Sequence, residues 1–169
     1  MKTACLSKPA GPIAPAARLA TMTGFPAMPP IVVDTREQRP YIFVGSVIGT
    51  LPTGDYSLQG FEHVIAIERK TLSDAYSSLG QGRARFRREV ERMAALQYGA
   101  IVVEASVPDF LRPPPFSRLA PTAALGSLLA WSVHFGVHVM FAGDRDHGAA
   151  ITLQLLTKFW RYHGEGASA

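Results

Sequence analysis

Cysteine is nearly missing from this chain: Cys5 is the only one in 169 residues. One thiol cannot close an intrachain disulfide or build a cysteine zinc site, and the simplest compartment for such a chain is a reducing, cytoplasmic one. Long apolar runs are also missing, so no segment reads as a membrane span and no membrane partner is expected. Acids are absent from the first thirty residues, MKTACLSKPAGPIAPAARLATMTGFPAMPP. That stretch opens like a signal peptide, but Lys8, Pro9, Pro12 and Pro15 break any apolar core. Residues 1–30 are therefore read as a disordered Ala/Pro-rich leader, or as the product of a start codon placed too early. Residues 164–169, GEGASA, read as a frayed tail. There is no internal repeat and no low-complexity array.

What is there is one domain's worth of alternating pattern, expected over residues 31–163. Hydrophobic residues make up 47% and charged residues 18%, a globular balance. A net charge of +4 is compatible with nucleic acid without proving it. PIVVDTRE is a β-branched run ending in charge, and VGSVIGTLPTGDYSL reads as one or two strands with turns at Gly49 and at Pro52-Thr53-Gly54. EHVIAIERK is a strand and TLSDAYSSLG a short helix ended by Gly80. In RARFRREVERMAALQYG, residues Phe86, Val90, Met93 and Leu96 fall at helical spacing, with Gly99 just past the end. AIVVEAS, TAALGSLLAWSVHFG, VHVMFAG and DHGAAITLQLLTKFWRYH read as strand, helix, strand and helix, the last capped by Asp144 or Asp146. Strands separated by helices predict an α/β fold with a mixed sheet.

The strand tips are the unusual feature. Asp34 ends IVVD, Asp55 follows the turn in TGDY, and Glu68, Arg69 and Lys70 end VIAIERK. Side chains alternate along a strand, so Glu68 and Lys70 share one face and Arg69 takes the other. Acids with an ammonium two residues along the same face suit metal-assisted phosphodiester hydrolysis. Hard oxygens hold Mg²⁺, the metal lowers the pKa of a bound water, and the lysine stabilises developing charge or positions that water. Each residue also has a plainer reading. Asp34 and Asp55 can be turn residues, Glu68 to Lys70 a solvated strand end, and Asp74 a helix-start acid favoured by the helix dipole. Glu104, ending IVVE, is close enough in pattern to reach the same sheet edge.

GDY followed by IERKTLSD resembles the GD…ERK-x-x-x-D signature of the XPF-type structure-specific nuclease domain, a branch of the PD-(D/E)xK nucleases. VDTRE before it, GQGRARF after it and AIVVEAS beyond extend the likeness over residues 30–163. The resemblance implies a restriction-endonuclease-like core with a central mixed sheet flanked by helices. It also implies Mg²⁺- or Mn²⁺-dependent cutting of DNA near branches, flaps or single-strand/duplex junctions, in repair or recombination. It places Asp34, Asp55 and Glu68 as metal ligands and Lys70 as the catalytic lysine, with Arg69 and Asp74 completing the motif. Asp74 is expected to bond Arg69 or the helix start rather than the metal. Arg36 and Glu37 stand at the charged end of the first strand.

Arg83, Arg85, Arg87, Arg88 and Arg92 outnumber Glu89 and Glu91 on one short segment. That excess favours phosphate contact, Arg83, Arg85 and Arg88 with Arg36 being the DNA-binding candidates, over a self-paired solvated face. Tyr56 is a candidate platform for a base, while His134, His138, Trp131 and Trp160 read as core or edge residues. Two departures from the family stand out. QRPYIFVGSVIG reads as a hairpin where eukaryotic members carry a helix, and no helix-hairpin-helix module follows, as in compact bacterial or phage members. A second copy, through the apolar helices AALGSLLAWSVHFG and AITLQLLTKFW, or an accessory DNA-binding protein is then expected to supply grip. The competing functions are a non-catalytic DNA-binding scaffold of the same fold and a restriction-type endonuclease. The acids argue against the first, and the short length against the second.

Overall fold

The computed structural model describes residues 27–164, so most of the expected leader and nearly all of the tail lie outside the described residues. The folded part begins before Ile31: Met28 packs against the core, and the Pro30 carbonyl accepts a hydrogen bond from the Gln59 N–H at 2.9 Å.

The elements are β1 (Ile31–Asp34), β2 (Val47–Gly49), β3 (Tyr56–Leu58), β4 (Ile65–Thr71), α1 (Leu72–Leu79), α2 (Arg83–Ala94), β5 (Tyr98–Glu104), α3 (Val107–Phe110), α4 (Pro121–Phe135), β6 (His138–Phe141) and α5 (Arg145–His163). The strands form a six-stranded sheet in the order β2-β1-β3-β4-β5-β6. β1 and β3, and β3 and β4, run antiparallel, while β1 with β2, β4 with β5 and β5 with β6 run parallel. The expected α/β fold with a mixed sheet is what forms.

Helices cover both faces. On one, Phe86, Val90 and Met93 of α2 and Leu128 and Trp131 of α4 pack with Tyr76 and Leu79 of α1 against Ile101 and Val103. On the other, Leu156 and Phe159 of α5 pack against Ile65, Ile67, Ala100 and Val102. The parity of β4 follows. Ile65 and Ile67 go into the α5 layer, and Arg69 continues that row. Ala66, Glu68 and Lys70 belong to the face covered by α2.

Three local expectations change. QRPYIFVGSVIG is not a hairpin, because β2 runs parallel to β1. Parallel neighbours need a crossover, and residues 35–46 provide it over the α5 side of the sheet. Tyr41 anchors the crossover: its N–H donates to the Tyr56 hydroxyl at 2.8 Å and its ring stacks on Tyr56 at 5.2 Å. Gly49 is the last residue of β2 rather than a turn. α2 stops at Ala94, and Gly99 lies inside β5, where a side chain would meet Met93 Cβ at 3.1 Å. Sequence reading gave no sign of the single-turn α3. Asp144 caps α5, its side chain accepting from the His147 N–H at 2.8 Å.

Candidate active site

Asp55 reaches the tip of β4 through a turn that depends on one glycine. Gly54 has φ +77, and a Cβ there would stand 3.0 Å from Ala66 Cβ and 3.1 Å from the Ile67 carbonyl oxygen. Glycine alone lets the backbone close that tightly. The Asp55 N–H then donates to the Ile67 oxygen at 2.8 Å, and Asp55 Oδ2 accepts from the Arg69 N–H at 2.7 Å. Glu68, 3% exposed, follows on the same side as Lys70, whose Nζ bonds Glu68 Oε1. The ammonium also lies 4.7 Å from the centre of the Phe86 ring of α2. These groups open onto a cleft of about 680 Å³ whose rim includes Arg36, Glu37 and Asp74.

When ionised, Asp55, Glu68 and Lys70 together carry one net negative charge. Burial pushes the Asp55 carboxyl up to about 7, although the Arg69 N–H and the Lys70 charge pull it down. Burial, with the charge of Asp55 behind it, holds Glu68 well above the usual carboxylate range. Burial works against the Lys70 ammonium, and the charge and hydrogen bond of Glu68 outweigh it, so the amine stays above its ordinary value. Glu68 Oε2 is buried without a hydrogen-bond partner. A buried carboxylate oxygen left unpaired is costly, and a hard divalent cation beside Asp55 would satisfy it. The donor set therefore fits Mg²⁺ or Mn²⁺. Mg²⁺ in particular is commonly held by one or two carboxylates together with substrate phosphates and waters.

The expected three-carboxylate set does not assemble. Among the described residues, no group of three His, Cys, Asp or Glu side chains is placed to hold a metal ion. Asp34 is the member that departs. Its Oδ1 accepts from the N–H and Nε of Arg36 at 2.8 and 2.7 Å, and its Oδ2 from Arg36 Nη2 and the Leu51 N–H at 2.9 and 2.7 Å. Burial alone would raise this carboxyl, yet the Arg36 and Leu51 donors hold it below its ordinary value. Asp34 thus ties β1 to the loop that leads into Asp55, and it does not line the cleft.

Arg69 turns its side chain to the other face of the sheet. Its guanidinium makes a forked pair with Glu104 at 2.7 and 2.9 Å, approaches Glu37 at 3.4 Å and lies over the Tyr41 ring at 5.5 Å. Arg145 reaches Glu104 at 3.7 Å and donates to the carbonyls of Arg39 and Pro40 at 3.0 and 2.7 Å. Arg69 accordingly presents its backbone N–H to Asp55 while its side chain, with Glu104, fixes the strand from behind. Asp74 bonds the helix start: Thr71 Oγ1 donates to Asp74 Oδ2 at 2.6 Å and accepts from the Asp74 N–H at 3.1 Å. Tyr56 is fully buried and offers no face to a base. His134 and His138 are exposed, the latter stacked on Tyr98 at 4.8 Å.

On α2, Arg85, Arg87, Arg88 and Arg92 are all exposed. Arg87 pairs with Glu91, at 2.9 Å. Arg83 is held against α4, 2.8 Å from Ser127 Oγ and 4.9 Å over the Trp131 ring. The residue that sequence reading missed is Glu89. Its carbonyl accepts from Thr53 Oγ1 at 3.5 Å, two residues before Asp55, and its charge acts on Asp55, Glu68, Lys70 and Arg36. The available signal was its position three residues after Phe86, on the helix face that covers Lys70.

A model of the ERCC4 domain family matches residues 33–155. The chain belongs to the ERCC4 domain family. This ERCC4 domain is similar to the solved structure of XPF from Aeropyrum pernix, with a TM-score of 0.64 and 26% identity over 79% of this chain and 66% of that one. It is also similar to XPF from Aeropyrum pernix in complex with DNA, with a TM-score of 0.60 and 26% identity over 78% of this chain and 64% of that one. The match thus spans just under two thirds of the XPF chains. Comparison with curated protein sequences gave no match. The fold of this ERCC4 domain is the restriction-endonuclease-like fold of the XPF nuclease domain. Among its described residues, no helix is long and apolar enough to cross a membrane.

Proposed function

We propose that the chain is a Mg²⁺- or Mn²⁺-dependent DNA endonuclease that hydrolyses phosphodiester bonds in branched, flap or junction DNA during repair or recombination. The observation that carries this reading is the buried, unpartnered Glu68 Oε2, set with Asp55 and Lys70 at the mouth of one cleft. Asp55 and Glu68 would hold the cation. When bound, that cation supplies a Lewis acid for the phosphate and a water that ionises near neutral pH. Lys70, kept charged by Glu68, donates to the phosphoryl oxygen on which negative charge grows, or orients the attacking water. Phe86 shields the ammonium from solvent and so strengthens that contact. Asp34, through Arg36 and Leu51, holds the loop that delivers Asp55, and the Glu104–Arg69 pair holds the β4 tip. Arg36, Arg85 and Arg88 contact flanking phosphates. DNA as the partner is supported by family membership and by the solved complex of the Aeropyrum XPF with DNA.

The test is cleavage of end-labelled duplex, single strand, splayed arm, 5′ flap and four-way junction by the purified protein, with Mg²⁺, Mn²⁺ or EDTA. Cation-dependent cutting of branched substrates in preference to linear duplex is expected. Binding of the same DNA with no cutting under either cation would favour the non-catalytic scaffold instead.

A further inference from the structure

A second groove, of about 790 Å³, lies between the C-terminal half of α1 and the loop of residues 111–120 that joins α3 to α4. Ser77, Gly80 and Gln81 form one wall, and Phe116, Ser117 and Arg118 the other. Its floor is fixed, since Tyr76 donates its hydroxyl to the Phe110 carbonyl at 2.6 Å and packs its ring on Phe110 at 5.1 Å. The loop reads Arg112-Pro113-Pro114-Pro115-Phe116-Ser117-Arg118. Three successive prolines fix φ, and a turn closed by the Ser117 N–H donating to the Pro114 carbonyl at 2.9 Å puts Phe116 at its corner. A stiff loop therefore carries a phenylalanine that is 66% exposed, with an arginine on either side. The groove walls contain no acid.

A stiffly held, exposed aromatic ring beside the Arg118 guanidinium in an acid-free groove suits a nucleic-acid strand, with a base on the ring and a phosphate on the guanidinium. α1 joins this groove to the catalytic cleft. Its start, at Ser73 and Asp74, lines the cleft, and its end lines the groove. An eight-residue helix is about 12 Å long at about 1.5 Å per residue. A strand covers that length in a few nucleotides. Bases inside a duplex are already stacked and offer no face to Phe116, so the strand in the groove must be unpaired.

We propose that this groove is a subsite for an unpaired nucleotide a few positions from the scissile phosphate, its base stacked on Phe116 and its phosphate held by Arg118. The subsite rests on the nuclease reading for the position of the scissile bond. It gives the chain a preference for DNA with a single-stranded segment.

The experiment uses the full-length protein with the variants Phe116→Ala, Phe116→Trp and Arg118→Ala. Binding of fluorescein-labelled oligothymidine, splayed-arm DNA and blunt duplex is followed by anisotropy in Ca²⁺, and cleavage of the splayed arm is measured in parallel in Mg²⁺. Phe116→Ala should weaken oligothymidine and splayed-arm binding on the order of tenfold, the scale of one lost base stack, and leave duplex binding unchanged. Phe116→Trp should restore it. Arg118→Ala should lower the single-strand salt slope by about 0.7, the value of one phosphate contact. Melting temperatures should match the wild type, since Phe116 is a surface residue. Single-strand binding by Phe116→Ala equal to the wild type, or an equal loss on duplex, would overturn the subsite. A wild-type protein that binds single strands through Phe116 without cutting would sink the nuclease reading and leave the subsite standing. A wild type that cuts while Phe116→Ala binds and cuts alike would do the reverse.

Discussion

Asp34 shows how far one residue's role depends on residues distant in sequence. At the end of IVVD it reads as a metal ligand, because the family signature puts an acid there. In the fold both its oxygens are occupied, one acceptor bond coming from Leu51, seventeen positions away. Nothing in the local sequence announces that bond. Asp34→Asn removes the charge under the Arg36 fork and turns an acceptor into a donor facing another donor. It should cost on the order of 2 kcal/mol at neutral pH, the scale of charge-assisted hydrogen bonds lost in a buried setting. The pH dependence has a definite sign. The folded Asp34 carboxyl sits below its ordinary value, so its contribution is complete above about pH 3.9 and fades as pH falls through the folded value. Urea melts of wild type and Asp34→Asn should therefore differ at pH 7 and converge below about pH 4. An unchanged gap across that range would mean that the ionised form is not what stabilises the fold. By contrast, the shared face of Glu68 and Lys70 and the opposite setting of Arg69 were legible in the sequence, because they depend only on strand alternation. Glu89 was not, since its link to the site comes from how α2 packs on Lys70.

At the scale of elements, periodicity located the central strands and the long helices, while tertiary contacts decided what periodicity could not. The sense of β2 relative to β1 was misread because a parallel pair is set by the Tyr41 anchor, not by turn residues. The end of α2 was misread because Leu96 continues a helical spacing after the helix has stopped. α2 also carries a test. Arg85 and Arg88 are exposed, whereas Arg83 and Arg87 are engaged with Ser127 and Glu91. The double variant Arg85→Ala/Arg88→Ala should weaken binding of every DNA sequence alike. It should reduce the slope of log affinity against log salt by roughly two, at about 0.9 per phosphate contact. Fluorescence anisotropy at several salt concentrations measures this, and an unchanged slope would make the pair a solvated face.

At the scale of the whole molecule, α4 presents apolar side chains to solvent. Both C-terminal helices are apolar in sequence, but they differ in the fold. α5 buries its apolar residues against the sheet, while α4 exposes Leu129 at 51% and Val133 at 88%, one turn apart. We propose a homodimer formed through that face of α4, which would pair two clefts and double the phosphate contacts. Light scattering across a concentration series should give twice 18.3 kDa at tens of micromolar, and Val133→Glu should return the mass to one chain. A wild-type mass fixed at one chain would exclude it.

The central claim is that Glu68 and Asp55 hold a cation that makes this ERCC4 domain cut DNA. Its most direct test is the Mg²⁺-dependent cleavage rate of wild type and Glu68→Gln on one splayed-arm substrate, with binding measured in Ca²⁺ on the same preparations. The substitution keeps the shape of the side chain and removes the charge. The structure predicts a loss of at least a hundredfold in rate, about 2.7 kcal/mol of transition-state stabilisation at about 1.36 kcal/mol per tenfold, with DNA binding close to wild type. A Glu68→Gln protein that cuts at the wild-type rate would contradict it.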